Sequence, residues 1–138
     1  MYFYDTTFSS RPRRIEIDGI VGKPIPFFTR LRMNGVGSRR VMIEGVSPEL
    51  EAVVNRSTNV NYATIEIRPK GIIVHFAKAV KSFAWVIPFY RLSLFAGDQF
   101  SIHSEGSFVR IRKGHQTDST QRFFRKIQDQ KLKQQGKV

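Results

Sequence analysis

The chain has 138 residues, a length that fits one domain, and at this size folding buries roughly two-thirds of the surface that the unfolded chain exposes. It contains no cysteine, which excludes disulfides, a thiolate nucleophile and cysteine-based zinc sites. Lysine and arginine number 23 against 11 acidic residues, and the resulting net charge of +12 attracts phosphate on nucleic acid or on anionic lipid. The alternative is that the charge serves solubility alone.

The N-terminal stretch MYFYDTTFSSRPRR lacks the basic-then-apolar order of a signal peptide. No apolar run in the chain approaches the ~20 residues that a membrane-spanning helix needs. No internal repeat or low-complexity linker divides the sequence, so we expect a single domain over residues 1–138. Together these features predict a soluble, cytoplasmic protein.

The first 61 residues carry weaker signals than the rest. We interpret residues 14–17 (RIEI), 41–44 (VMIE) and 50–54 (LEAVV) as short strands. The segment between the first two, GIVGKPIPFFTRLRMNGVGSRR, is rich in glycine and proline and is therefore predicted to be irregular.

From residue 62 onward the sequence predicts one strand after another, in the order YATIEIR, IIVHF, SFAWVI, RLSLF, QFSIH and SFVRIR. Residues 68–71 (RPKG) place proline and glycine where a tight turn needs them, so the first two of these strands should form a hairpin. Residues 104–107 (SEGS) join the last two strands by the same logic. Turn signals about every ten residues favour antiparallel sheets that curl into a barrel or sandwich.

The most aromatic stretch, FAWVIPFYRLSLF, is interpreted as core. Residues 83–87 are apolar at every position, which predicts a strand that is covered on both faces. Pro88 lacks an N–H and should end or bend that strand. The alternative is that Trp85 or Tyr90 lies partly exposed in a binding groove.

The sequence closes with a predicted helix over residues 118–134. Asp118 is a suitable N-cap, and a glutamine follows three residues later as in a capping box. Phe123, Phe124 and Ile127 share one side at helical spacing, while lysines and arginines occupy the rest. We expect the apolar side to cap one open end of the sheets; the alternative is that the basic side docks on a membrane or on phosphate.

The phrase IEIRPKGIIVHF, the Ile-Pro-Phe step at 87–89, the paired strands FSIHSEGSFVRIR and the final FFRKI resemble the bacterial pleckstrin-homology-like domains over residues 60–130. The resemblance implies a mainly β (α+β) fold: two bent, near-orthogonal antiparallel sheets that form a partly open barrel or sandwich, capped by one C-terminal helix. It also implies a scaffold for binding, although a fold does not settle function. The chain departs from the eukaryotic lipid-binding members, whose tryptophan lies in the final helix, and no phosphoinositide-binding motif can be carried over.

The sequence contains no recognisable catalytic or metal-binding motif. His75, His103 and His115 lie in separate segments without metal-ligand spacing, and no G-x-S-x-G elbow is present. We therefore expect no cofactor, no metal and no enzymatic activity. An enzyme would have to gather His75 or His103 with Glu66 or Asp98 in a deep cleft.

Residues 34–40 (NGVGSRR) form the first candidate anion site. Gly35 and Gly37 can expose backbone N–H groups in a concave nest, and Arg39 and Arg40 add forked donors that match phosphate. The alternative is an ordinary turn that leads into a strand.

The strand FVRIR forms the second candidate site. If its valine and isoleucine face the core, then Phe108, Arg110 and Arg112 line the outer face, with Lys113 beside them and His103 across the hairpin. A ring between cations is typical of a platform for single-stranded nucleic acid. It is also typical of an ordinary solvated strand.

The sequence thus predicts a non-enzymatic binding or interaction module on a pleckstrin-homology-like scaffold. An unknown protein partner or an anionic membrane surface is the expected partner. The main alternative is a nucleic-acid-binding protein that uses the basic, aromatic strand face.

Overall fold

The secondary structure is that of a computed structural model, which describes residues 1–8, 10–53, 61–114 and 117–136. In chain order its strands and α-helices are β1 (Tyr2–Asp5), α1 (Arg11–Val21), α2 (Phe27–Arg32), β2 (Val41–Val46), β3 (Tyr62–Arg68), β4 (Gly71–Lys78), β5 (Lys81–Pro88), β6 (Ser93–Ala96), β7 (Phe100–Ser104), β8 (Ser107–Ile111) and α3 (Thr117–Gln135). Two short 3-10 helices lie in connections, at Pro48–Val53 and Phe89–Arg91.

The strands are antiparallel and lie in the order β1-β5-β4-β3-β2-β8-β7-β6. Strand β2 belongs to two sheets, because Val41 pairs with Ala63 of β3 whereas Val46 pairs with Val109 of β8. The first sheet consists of β1, β5, β4, β3 and β2, and the second sheet consists of β2, β8, β7 and β6. The register of β2 against β8 shifts between Ile43 and Gly45, which leaves one extra residue on β2. Such a bulge bends a strand. The predicted architecture, two bent antiparallel sheets in a partly open arrangement, is confirmed.

Both predicted hairpins are present. Arg68 pairs with Gly71 across the first turn, and Ser104 pairs with Ser107 across the second. In the second turn Glu105 has a φ of 53° and Gly106 a φ of 85°. Two successive positive φ angles are typical of a type I′ turn, whose twist matches that of the two strands it joins.

The main core lies between the two sheets and α3. Trp85 is fully buried in it, and the rings of Phe100 and Phe124 meet edge to face at 5.4 Å. Of the stretch FAWVIPFYRLSLF that was interpreted as core, residues 84–89 and Leu92 are buried, so the interpretation is confirmed there, but it is wrong for Tyr90 and Phe95, which are exposed. Strand β5 ends at Pro88 as predicted, and Trp85 is buried rather than lining a groove. Tyr90 projects to solvent from the following 3-10 helix.

Helix α1 covers the other face of β5 and builds a second, smaller core. Ile17 and Val21 pack there against Ile73, Ala84 and Val86. The prediction of a strand at 14–17 is therefore wrong. The reason is the 3.6-residue period of the buried positions, reinforced by a serine cap at position 10 whose side chain accepts the N–H of residue 13 and by a proline in the first turn.

Two further expectations for the N-terminal part are corrected by the structure. The predicted strand at 50–54 is a 3-10 helix up to residue 53, in which Leu50 and Val53 are buried at three-residue spacing; residue 54 lies outside the described residues. The segment predicted to be irregular contains α2. The strand predicted at 41–44 is confirmed as part of β2.

The predicted C-terminal helix is confirmed to within one residue at each end as α3. Asp118 is not its N-cap but lies in its first turn. The hydroxyl of Thr117 instead exchanges hydrogen bonds with the backbone of Gly114, at 3.0 and 2.6 Å. Among the helices in the described segments, none is both long and apolar enough to cross a bilayer.

Gly71 is the position where the backbone of β4 comes closest to its neighbours. A Cβ there would lie 2.3 Å from the carbonyl oxygen of Ile87 and 2.7 Å from a methyl group of Val21. Because the contact is with backbone, we expect Gly71→Ala to lower the free energy of unfolding by about 3 kcal/mol and the Tm by roughly 10 °C. Gly97→Ala, where a Cβ meets nothing within 4 Å, is the matched control for the thermal melt. Equal Tm values for the two variants would contradict this account.

Candidate functional site

Arg39 and Arg40, which directly precede β2, line two separate clefts. Upstream of β2 the chain already runs along β3, since Ser38 N–H donates to the carbonyl of Ile65 at 2.8 Å and Gly37 forms a bridge with Glu66. Between that bridge and the first pair of β2 there are four residue steps on one strand and three on the other. The strand that carries the two arginines therefore has one extra residue there, which is a bulge.

The cleft beside Arg40 joins the two sets of residues predicted from sequence. Its volume is about 350 Å³, and Arg40, Arg112 and Lys113 all line it. The Arg40 guanidinium lies 4.4 Å above the ring of Tyr62, and Arg112 Nη1 lies 3.2 Å from the sulfur of Met42. Three cations and one ring therefore meet where β2, β3 and β8 adjoin.

Three aromatic side chains are in contact on the outer face of the second sheet. The rings of Phe95 and His103 meet edge to face at 4.8 Å, and His103 stacks on Phe108 at 5.6 Å with 28° between the planes. The guanidinium of Arg110 lies 5.2 Å above Phe108. The strand FVRIR alternates as predicted, because its valine and isoleucine are buried in the core, and His103 pairs with Phe108 across the hairpin.

His103 contributes a ring rather than a charge. Burial lowers the pKa of its imidazole below the usual 6.5, so the ring is neutral at pH 7. Its Nε2 lies 3.0 Å from the hydroxyl of Ser101, which fixes the ring orientation.

Gly45 of β2 gives the Arg110 side chain room to lie on the sheet. The two residues pair across β2 and β8, and a Cβ at position 45 would lie 2.6 Å from Arg110 Nη2. The guanidinium therefore rests over a backbone without a side chain. The neighbouring acid, Glu44, is hydrogen-bonded to Gln99 at 3.1 Å.

Together these residues form a band across five adjacent strands, from β6 to β3, which we call the ring row. Its members are Phe95, His103, Phe108, Arg110, Arg112, Tyr62 and Arg40. Three rings in contact lie at its β6 end, and three arginines with one ring continue it to β3, over about 20 Å given the ~4.8 Å spacing of strands.

Sequence reasoning missed two members of this band, Phe95 and Tyr62, and also Gly45, which lies under the Arg110 side chain. Each occupies an outward position of its strand, next to inward residues such as Leu94 and Ala63. The strand period could have identified them as outward. Which residues contact Arg110 and Arg40 depends on the strand order, and local sequence patterns do not predict that order.

Three backbone N–H groups of the loop at 34–40 are hydrogen-bonded within the fold, while the backbone nest itself stays a prediction. The N–H groups of Asn34 and Gly35 donate to carbonyls of α2, and that of Ser38 donates to β3. The backbone carbonyls of Asn34 and Gly35 accept hydrogen bonds from Lys126 Nζ at 3.2 and 3.1 Å. The N–H of Gly35 is therefore not available to an anion, whereas the side chains of Arg39 and Arg40 line clefts.

The second cleft lies between that loop and the start of α3. Its volume is about 390 Å³, and its polar lining includes Ser38, Arg39, Ser119, Arg122 and Lys126. Burial lowers the pKa of Lys126. Gly37 also lines this cleft, whereas Gly35 is absent from its lining.

A network of charged side chains ties α1 to the first sheet. The buried Arg68 bonds to Asp18 of α1 at 2.9 Å, to Glu66 at 2.5 Å and to the carbonyl of Gly22 at 2.8 Å. His75 Nε2 lies 3.0 Å from the other oxygen of Glu66. The structure thus joins His75 with Glu66, while His103 belongs to the ring row.

Glu66 is ionised inside this network. Burial alone would raise its pKa, but hydrogen bonds from His75 and Arg68 and the charge of Arg68 outweigh burial and hold the pKa below its usual value of 4.5. Among the described residues no cluster of three or more metal-ligating side chains occurs, and His115 lies outside the described residues.

Comparison of the chain with family models, with curated proteins and with solved structures finds no match.

The network makes stability depend on pH through Glu66. Because the folded pKa lies below the unfolded one, the stabilisation is present above the unfolded pKa and is lost as pH falls through the folded pKa. We expect Glu66→Gln to lower the free energy of unfolding by about 1–3 kcal/mol at pH 7, a deficit that shrinks between about pH 5 and pH 3. Urea titrations at several pH values measure this deficit.

Glu44→Gln is the control for that series, since it removes an exposed carboxylate whose hydrogen bond is to Gln99. A Glu66→Gln deficit that stays constant down to about pH 3 would show that the carboxylate charge contributes nothing.

Proposed function

We propose that the protein is a non-enzymatic binding module whose ring row binds single-stranded nucleic acid. The observation that carries the proposal is the continuous contact of Phe95, His103 and Phe108 with the guanidinium of Arg110 on a solvent-facing sheet surface. Ring faces stack on bases and cations follow the phosphates, which is how proteins hold single strands without sequence preference.

The charge of the ring row fits a polyanion. Its cationic groups are arginines, whose planar forks match phosphate, while the imidazole of His103 stays neutral and contributes a ring without a charge. Base stacking on an aromatic ring contributes about 1–3 kcal/mol per base. The row has four rings, so a few unpaired bases suffice for measurable affinity.

Single strands fit this surface better than a duplex does. Bases within a duplex already stack on one another and offer only their edges in the grooves. The ring row is a band across a sheet and offers ring faces, which need bases that are free to turn outward. We therefore expect little discrimination among sequences.

We further propose that the scaffold is a pleckstrin-homology-like domain. Support comes from the order of β2 to β8, from the sharing of β2 between two sheets and from the position of α3 against the core. A non-enzymatic role is supported by the use of Glu66, which holds Arg68 and His75 rather than pointing freely into a cleft. We also propose that the protein binds this ligand in the cytoplasm.

Phe108 and Arg110, at the centre of the ring row, allow a direct test of the proposal. We expect Phe108→Ala combined with Arg110→Ala to weaken binding of a labelled oligothymidine by about tenfold or more, because a stacking face and a phosphate contact are both lost. The slope of log affinity against log salt should also decrease by about 0.7 for the lost contact. Fluorescence anisotropy over a salt series measures both.

The matched control is Phe27→Ala combined with Arg30→Ala, a ring and guanidinium 5.9 Å apart on α2 and outside the ring row. That variant removes the same side chains and the same charge. Equal loss of affinity in the two double variants would mean that binding follows net charge, not the ring row.

Gly45 provides a test that leaves every member of the row in place. We expect Gly45→Ala to displace the Arg110 guanidinium and weaken oligothymidine binding roughly fivefold, with the free energy of unfolding changed by less than about 1 kcal/mol. In an Arg110→Ala background the same change should have no further effect on affinity. An undiminished effect in that background would show that Gly45 acts through something other than Arg110.

A further inference from the structure

Helix α2 exposes its apolar residues instead of burying them. Phe28 is 78 % exposed, Leu31 59 % and Phe27 57 %, and none of the six residues of α2 is buried. The two phenylalanine rings meet edge to face at 5.6 Å. We call Phe27, Phe28 and Leu31 the apolar wedge.

The apolar wedge is held in place from both ends. Before it, Ile25 is buried in the main core, and after it Met33 packs against the same core. The turn that follows α2 is tied to α3 through Lys126, whose ammonium group donates to the carbonyls of Asn34 and Gly35. The wedge therefore projects from a fixed support.

The surroundings of the wedge are positively charged. Residues 19–43 contain no aspartate or glutamate but five cations: Lys23, Arg30, Arg32, Arg39 and Arg40. Lys23, Arg30 and Arg32 are all exposed. The cleft lined by Arg39, Arg122 and Lys126 adjoins the turn at the end of α2.

The size and charge of this surface do not suit a second copy of the chain. Two aromatic rings and one leucine at these exposures offer roughly 300 Å² of apolar area, against about 800 Å² per partner in a stable interface. Two copies would also bring like charges together. Rings and leucine amid arginines are instead the composition that partitions into the headgroup boundary of an anionic bilayer.

We propose that the apolar wedge docks the protein on anionic membrane surfaces, with Phe27, Phe28 and Leu31 entering the headgroup boundary and Lys23, Arg30 and Arg32 facing the lipid phosphates. This surface is separate from the ring row, and the proposal does not rest on nucleic-acid binding.

The test is co-sedimentation with phosphatidylcholine vesicles, with and without phosphatidylserine, at near-physiological salt. We expect binding only to the anionic vesicles, and a loss of about tenfold or more in the triple variant Phe27→Ser, Phe28→Ser, Leu31→Ser. The matched control is Val80→Ser, Tyr90→Ser, Leu132→Ser, which removes three apolar side chains of similar or greater exposure elsewhere. This control should bind the vesicles as the original chain does.

Insertion itself is tested with Phe28→Trp. The only natural tryptophan, Trp85, is fully buried and reports whether each variant is folded. On anionic vesicles the emission of the new tryptophan should shift to the blue, as expected on leaving water. Sedimentation without that shift would overturn the wedge as the inserting element.

Three other results would overturn the proposal. They are binding to neither vesicle, equal binding by the triple variant and the original chain, and a concentration-dependent dimer that the triple variant abolishes. The two sites remain distinguishable, because the triple variant should keep its affinity for oligothymidine while the Phe108→Ala, Arg110→Ala variant should keep its affinity for vesicles.

Discussion

Strand β2 pairs with β3 along its first half and with β8 along its second, and the rest of the structure depends on this double pairing. Backbone N–H and C=O groups buried without partners are costly, so a strand that changes partners has to bend between them. The bulge before Gly45 supplies the bend. It joins the two sheets around one core and places residues of β8, β2 and β3 on one continuous outer surface.

The outer face of the first sheet is covered by a helix, whereas that of the second sheet is exposed. The outer face of β4 and β5 carries Ile73, Ala84 and Val86 and is covered by α1, with the Arg68 network at its border. The outer face of the second sheet carries rings and arginines and remains open to solvent. A face with apolar residues needs a cover, whereas guanidinium groups keep their hydration while their planes lie on rings. The ring row is therefore the face that the fold leaves available.

Several strands of the fold were predictable from local sequence. From residue 62 onward the alternation of apolar and polar residues, together with two turns of proline or glycine, gave six strands and two hairpins that the structure contains. The same stretch predicted that β5 is covered on both faces but not that α1 is the cover. At 14–17 a short alternating pattern predicts a strand where the structure has α1, because four residues are too few to distinguish a period of two from one of 3.6.

What the sequence by itself determined is thus the local part: the strands and turns of the C-terminal two-thirds, the C-terminal helix, the buried tryptophan and the outward set Phe108, Arg110 and Arg112. The tertiary structure alone decided that Phe95, Tyr62 and Gly45 join that set, that Arg39 and Arg40 line separate clefts and that the wedge on α2 stays uncovered. The physical reason is that side-chain direction follows from backbone periodicity within one strand, whereas neighbours across strands follow from pairings between distant segments.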